Sequence, residues 1–257
     1  MSSKRKLLAG VSVLATLVLA ATAPAASGGG GQLKTYRVTL KNLTSGQPFS
    51  PPVAATHRKS IRMFEVGGFA SDELAAIAQA GNEVPMFNLF NSSPRVTQAV
   101  DVARPLTPSG KVVGSFTDTV SLEISAREGD RLSLATMLIC TNDGFLGLDS
   151  VKLPDDGSRT FFLNGYDAGR ENNTEISPHI VDPCSALGPA PLPGDPDGNL
   201  DSGSGVTTDP PERIRHHQNI QGVGELSPSL HGWNDPVASV TVELLDDEDE
   251  ADEDEDD

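Results

Sequence analysis

CTNDGFLGLDSVKLPDDGSRTFFLNGYDAGRENNTE, residues 140–175, sets acidic and amide side chains in two loops separated and flanked by apolar runs. The first loop carries Asp143, and the second carries Asp167 and Glu171. Loops of this kind suit a hard cation, since calcium takes six to eight oxygens from carboxylates, amides, backbone carbonyls and water. Asp143, Asp167 and Glu171 could share one ion if both loops stood at the same end of a sheet. The same residue types also gather wherever a chain turns, because Asn, Asp and Gly supply the backbone angles and local hydrogen bonds that turns use. On residue types alone both readings stand.

Working outward, the run Leu132 to Cys140 is long and apolar and reads as a central strand. Before it, Val120, Leu122 and Ile124 alternate with Ser121, Glu123 and Ser125, so the two segments read as a hairpin turning at Arg127–Asp130. The second strand would then deliver Cys140 and Asp143, and a short strand over Phe161–Leu163 would feed Asp167. Thr35–Leu43 and Ala238–Leu244 alternate with period two, as half-buried strands do. One short helix is predicted near residues 72–80. Ser71 caps it, Asp72 and Glu73 sit at its positive end, and Gly81 stops it. The fold class is all-β, an antiparallel sandwich with long loops.

The ends of the chain differ from this middle. Lys4, Arg5 and Lys6, the apolar stretch Leu7–Ala20, and Ala23-Pro24-Ala25 make residues 1–26 read as a secretory signal. Residues 27–32 form a Gly-rich lead-in, and residues 33–245 form the domain. Residues 246–257 hold eleven acids and no base, a self-repelling tail expected to be disordered. The net charge is −17, and without the tail and the first six residues 25 acids stand against 16 bases. Such a surface disfavours nucleic acid, which requires a basic face. The apolar start falls short of the roughly 20 residues that cross a bilayer, so no transmembrane segment is expected once it is removed. Cys140 and Cys184 are the only cysteines, an even number behind an export signal, which reads as one disulfide. Closing that loop contributes on the order of 4 kcal/mol in the chain-entropy account.

Several separated motifs together resemble one family. FEVGGFASDELAAIAQAG (residues 64–81), TNDGFLGLDS (141–150), the YDAG run (166–169) and HHQNIQGVGELSPSLHGW (216–233), followed by a valine-rich strand, are similar in kind and order to the spondin domain. That domain is the amino-terminal part of F-spondin-like proteins and also a stand-alone secreted domain of microbes. The resemblance implies a β-sandwich resembling a C2 domain, with a calcium ion held by Asp143, Asp167 and Glu171. Where the family pattern places an aspartate four residues after the first one of DAG, this chain has Glu171, a longer carboxylate still able to ligate.

Other candidates are weighed against blander roles. Asp195, Asp197, Asn199 and Asp201 of DPDGNLD faintly resemble the start of an EF-hand, but Leu200 stands at the glycine position, so a solvated turn within the loop 188–211 is the simpler reading. His57, His216, His217 and His231 are read as structural, since adjacent histidines on an extended segment point to opposite sides. Asn42, Asn91 and Asn172 begin glycan-acceptor patterns. No nucleophile elbow or HExxH motif occurs. The expected function is therefore a secreted or cell-surface calcium-binding interaction or adhesion module, not an enzyme, whose partner is an extracellular or envelope protein or a polysaccharide. The alternatives are a metal-assisted hydrolase using the acidic cluster with His57 or His231, and a structural envelope protein stabilised by a cation.

Overall fold

Tyr36, Val38 and Leu40 on one strand and Ala238, Val240 and Val242 on another bury alternate side chains, and the two strands pair with each other although they stand near opposite ends of the chain. The computed structural model describes residues 32–194 and 205–245, all within one compact unit, Gly31–Asp257. The sequence readings of the signal, most of the lead-in, the acidic tail and the DPDGNLD site (Asp195, Asp197, Asn199, Asp201) lie outside the described residues.

The described strands are β1 (Lys34–Asn42), β2 (Val53–His57), β3 (Val96–Asp101), β4 (Thr119–Ala126), β5 (Arg131–Met137), β6 (Gly144–Lys152), β7 (Ser158–Leu163), β8 (Gly165–Asp167), β9 (Arg215–His216) and β10 (Ala238–Leu244). They form two antiparallel sheets, one of order β4-β1-β10-β7 and one of order β3-β2-β5-β6-β8-β9. The all-β sandwich expected from the alternating segments is the observed fold.

One strand pairing differs from expectation. β4 pairs with β1, whereas β5 pairs with β2 and β6, so the Arg127–Asp130 turn carries the chain from one sheet to the other and is not a hairpin. Alternation shows which face is apolar but not which neighbour supplies the ladder, and here both strands turn their apolar faces inward from opposite layers. Asp130 fixes the crossing: its Oδ2 accepts from the Arg127 N–H at 2.9 Å and from the Thr97 hydroxyl at 2.5 Å.

β5 is central, as its apolar run predicted, and is buried on both faces. Leu132, opposite Thr56, faces the other sheet, to which the Thr56 hydroxyl donates at Ser125 O (2.6 Å). Met137 and Ser133 face two helices, α1 (Asp72–Ala80) and α2 (Val84–Asn91). α1 is built as its sequence dictates: Ser71 Oγ accepts from the Leu74 N–H, and Gly81, at φ 63°, closes it. α2 and the short α3 (Pro183–Leu187) and α4 (Pro228–His231) were not expected, because none has a side-chain cap to announce it.

Asn42 sits at the end of β1 with 0% exposure. Its amide donates to Gln47 O (2.6 Å) and Thr107 O (3.0 Å), and its Oδ1 accepts from the Thr44 N–H (2.8 Å) and hydroxyl (2.9 Å). This corrects the reading of Asn42 as a glycan acceptor, since its side chain is consumed in the interior, whereas Asn91 and Asn172 are exposed. Replacing Asn42 by Ala leaves buried donors and acceptors unpaired, and should cost about 3 kcal/mol in equilibrium urea unfolding with the disulfide intact.

Candidate functional site

Register brings the two acidic loops together. β6 begins immediately after Asp143, and its first residue, Gly144, stands opposite Asp167, the last residue of β8. The turn before β6 is closed by Thr141, whose hydroxyl donates to Leu138 O (2.6 Å) and accepts from the Gly144 N–H (2.8 Å). Asp143 O accepts from the Ala168 N–H at 3.1 Å, so the start of the DAG loop is tied to the turn that holds Asp143. Asp143 therefore lies in a tight turn, while Asp167 lies on a strand and not in the loop expected to carry it.

All three predicted acids are buried here: Asp143 and Asp167 are 0% exposed and Glu171 is 5% exposed. Asp143 Oδ2 accepts from the backbone N–H groups of Arg170 (2.6 Å) and Glu171 (2.9 Å). Asp167 Oδ1 accepts from the Gly169 N–H (2.7 Å), and its Oδ2 accepts from Asn173 Nδ2 (2.8 Å) and Arg215 Nη2 (3.0 Å). Glu171 Oε1 accepts from Gln79 Nε2 of α1 (2.9 Å). Gly169 adopts φ 69° with Glu212 packed against its backbone; a Cβ there would stand 2.5 Å from Glu212 O, which explains the glycine of DAG.

Two carboxylate oxygens in this cluster, Asp143 Oδ1 and Glu171 Oε2, are buried without a hydrogen-bond donor of ordinary geometry among the described residues. Burial pushes the Asp143 carboxyl up to about 7, with the neighbouring Asp167 charge adding to it and the Glu171 and Arg170 N–H groups opposing it. Burial likewise raises Glu171, against the Gln79 amide and the Gly205 N–H. The three acids do not stand as a finished coordination sphere: among the described residues no group of three or more His, Cys, Asp or Glu side chains is arranged to hold a metal ion. What the site offers a cation is oxygen: two unsatisfied carboxylate atoms, a third carboxylate beside them and the Asn173 amide close by. That donor chemistry fits calcium better than a softer metal.

Sequence reasoning missed the residue that shapes the surrounding loops. Glu175, at φ 56° and 3% exposed, receives three backbone N–H groups on its carboxylate, from Gln221 (2.6 Å), Gly222 (2.6 Å) and Val223 (2.9 Å). Its own N–H donates to Oδ1 of Asn142 (3.1 Å), the residue beside Asp143. The signal was present in the paired segments ENNTE and QGVGE, but nothing local says that they meet.

The disulfide Cys140–Cys184 is formed, with the Cα atoms 5.0 Å apart, three residues ahead of Asp143. The histidines lie apart in function. His57 bonds Ser133 Oγ (2.8 Å) and Arg58 O (3.0 Å) in the interior, and His231 Nδ1 accepts from the Ser227 N–H (3.0 Å). His216 packs on Tyr166 with the rings tilted, while its neighbour His217, just past β9, packs against Trp233, so the two adjacent rings have different partners. Trp233 is held by Asn219, whose Nδ2 donates to Trp233 O at 2.6 Å.

The Asp143 titration carries a sign. Its folded-state pKa of about 7 lies above the roughly 3.9 of an unfolded aspartate. Between those values the folded chain binds the extra proton, so cation-free stability should fall as pH rises from about 4 to about 7, by at most about 1.4 kcal/mol per unit. Chemical unfolding of the wild type and of Asp143→Asn across that range in chelator isolates this contribution: the wild type should lose stability relative to the variant as pH rises, and a difference that is flat or of opposite sign would refute the assignment.

The Spondin_N family profile matches residues 38–184, a span that contains Asp143, Asp167, Glu171 and both cysteines. Comparison with curated proteins finds no match. Domains of this family are typically extracellular and generally non-catalytic. No described helix is long and apolar enough to cross a membrane. With two antiparallel sheets and a match over more than half of its length, the chain belongs to the spondin amino-terminal domain family.

Proposed function

We propose that this chain is a secreted or cell-surface, non-catalytic interaction module in which Asp143, Asp167 and Glu171 hold a calcium ion that orders one end of the sandwich. The observation that carries the reading is a pair of buried, incompletely paired oxygens among the described residues, Asp143 Oδ1 and Glu171 Oε2, beside the buried carboxylate of Asp167. Unsatisfied buried charge is costly, and a divalent ion can relieve several carboxylates together. Bound there, the ion supplies charge neutralisation and fixes loops rather than chemistry. The disulfide, β6 and β8 hold the backbone of Asp143 and Asp167, so ordering falls on the segments 168–175 and 205–215. A partner, whether protein or polysaccharide, would meet the module through such ordered loops.

The hydrolase reading finds less support. His57 is 0% exposed and both ring nitrogens are engaged, so it faces neither solvent nor the acids. Residues 1–26, read as a secretory signal, support export, and the family's usual extracellular setting agrees with that reading.

Thermal unfolding in calcium, in magnesium and in chelator tests the proposal. Calcium should raise the melting temperature, increasingly with concentration, in line with roughly 2.7 kcal/mol of linkage at a hundredfold excess over Kd. Magnesium, which demands a tighter octahedral shell, should raise it less. Asp167→Asn should abolish the calcium increment. Identical curves for the wild type in calcium and in chelator would rule out the site.

A further inference from the structure

Asp167 shares its carboxylate with a fixed positive charge. Its Oδ2 accepts from Arg215 Nη2 at 3.0 Å as well as from Asn173, and its Oδ1 is committed to the Gly169 N–H. For Asp167 to join Asp143 Oδ1 and Glu171 Oε2 around one ion, a place now used by Asn173 or Arg215 must be given up. Asn173 is neutral and can present its amide oxygen to a cation. Arg215 cannot adapt in that way, because a guanidinium has five donors, no acceptor and no accessible deprotonated form.

The grip of Arg215 on Asp167 is incomplete. It meets the carboxylate through one nitrogen, its Nη1 is turned to Glu212, and its buried Nε has no hydrogen-bond acceptor. The stronger forked geometry of an arginine–carboxylate pair is therefore not made. Arg215 also has somewhere to go: Glu212 already binds it, and its side chain is 40% exposed. Its carrier is the two-residue strand β9 at the sheet edge, paired with β8 through Tyr166↔His216 and Asp167↔Arg215, with the flanking Ile214 and His217 N–H groups donating to Gly68 O and Gly165 O.

From this geometry we infer that Arg215 is the resident countercharge of the carboxylate cluster, and that a divalent cation and the Arg215 guanidinium contend for Asp167. The inference rests on the calcium reading above and adds the residue that sets its affinity. Without the ion, Arg215 partly neutralises Asp167 and pins β9 to β8. With the ion, the guanidinium turns to Glu212, and the edge strand loses its side-chain tie while the acids gain a stronger one. Cation occupancy is thereby transmitted to residues 212–217, which include the cation–π pair of Arg213 with the exposed ring of Phe69.

Calcium titrations of the wild type, Arg215→Gln, Arg215→Lys and Asp167→Asn, followed by calorimetry, test this, with the Asp167→Asn signal taken as binding elsewhere on the acidic chain. Arg215→Gln should tighten calcium at least tenfold, lower the melting temperature in chelator and enlarge the rise that calcium produces. Arg215→Lys, which keeps the charge, should stay within about threefold of wild type. Wild-type binding with Arg215→Gln folded but no tighter overturns the inference and leaves the carboxylate site standing. Absence of binding by both the wild type and Arg215→Gln overturns the two together, whereas binding by Arg215→Gln alone supports both. If Arg215→Gln does not fold, the Arg215 Nε–H resonance of the wild type decides: it should shift as calcium saturates the site, and a resonance unmoved at saturation overturns the inference.

Discussion

Keeping carboxylates out of water beside one another is the constraint on which this end of the molecule depends. Two like charges about 5 Å apart repel by about 3 kcal/mol at the effective dielectric of protein sites. The fold answers with backbone first. Arg170 and Glu171 turn their N–H groups to Asp143, and Gly169 turns its own to Asp167. These donors are available only because the chain bends sharply at Gly169, and the bend is held by the pairing of β6 with β8. Side chains from α1, the DAG loop and β9 supply the rest, through Gln79, Asn173 and Arg215. The balance is incomplete, which gives the cluster its appetite for positive charge.

The neighbouring Glu175 shows the same physics carried to completion. Its buried carboxylate takes three N–H groups and leaves no oxygen without a donor. Asn142 links the two sites, touching the Glu175 N–H on one side and adjoining Asp143 on the other. A satisfied acid thus fixes the loop scaffold, and an unsatisfied set sits within it. This division of labour suits a binding end mounted on a rigid sandwich.

Legibility in the sequence followed the range of the interaction concerned. Local signals were readable: the alternation of β1 and β10, the Ser71 cap and Gly81 stop of α1, the buried run of β5, and the cysteine pair. Residue types could put Asp143 and Asp167 forward together, but only family resemblance favoured that reading over ordinary turns, since their adjacency is a matter of strand register across 24 residues. Register and sheet membership left no local trace, so β4 and β5 looked like a hairpin while belonging to different layers. Asn42 carried a glycan-acceptor pattern because the sequon is local, whereas the contact of its amide with Thr107, 65 residues on, is not. Glu175 and Arg215 were overlooked for the same reason: the N–H groups that hold the Glu175 carboxylate and the Asp167 that Arg215 meets lie more than 40 residues away in the chain.

The pairing of β1 with β10 has a temporal side. Arg37 and Glu243, neighbours in the finished ladder, are separated by 206 positions. At typical rates of synthesis, roughly 5–20 residues per second, about 10–40 s pass between the appearance of the two. During that interval the four-stranded layer lacks its third member, and β7 has nothing to lie against. A nascent chain of this topology thus cannot close its four-stranded layer until β10, the last described strand, has been made.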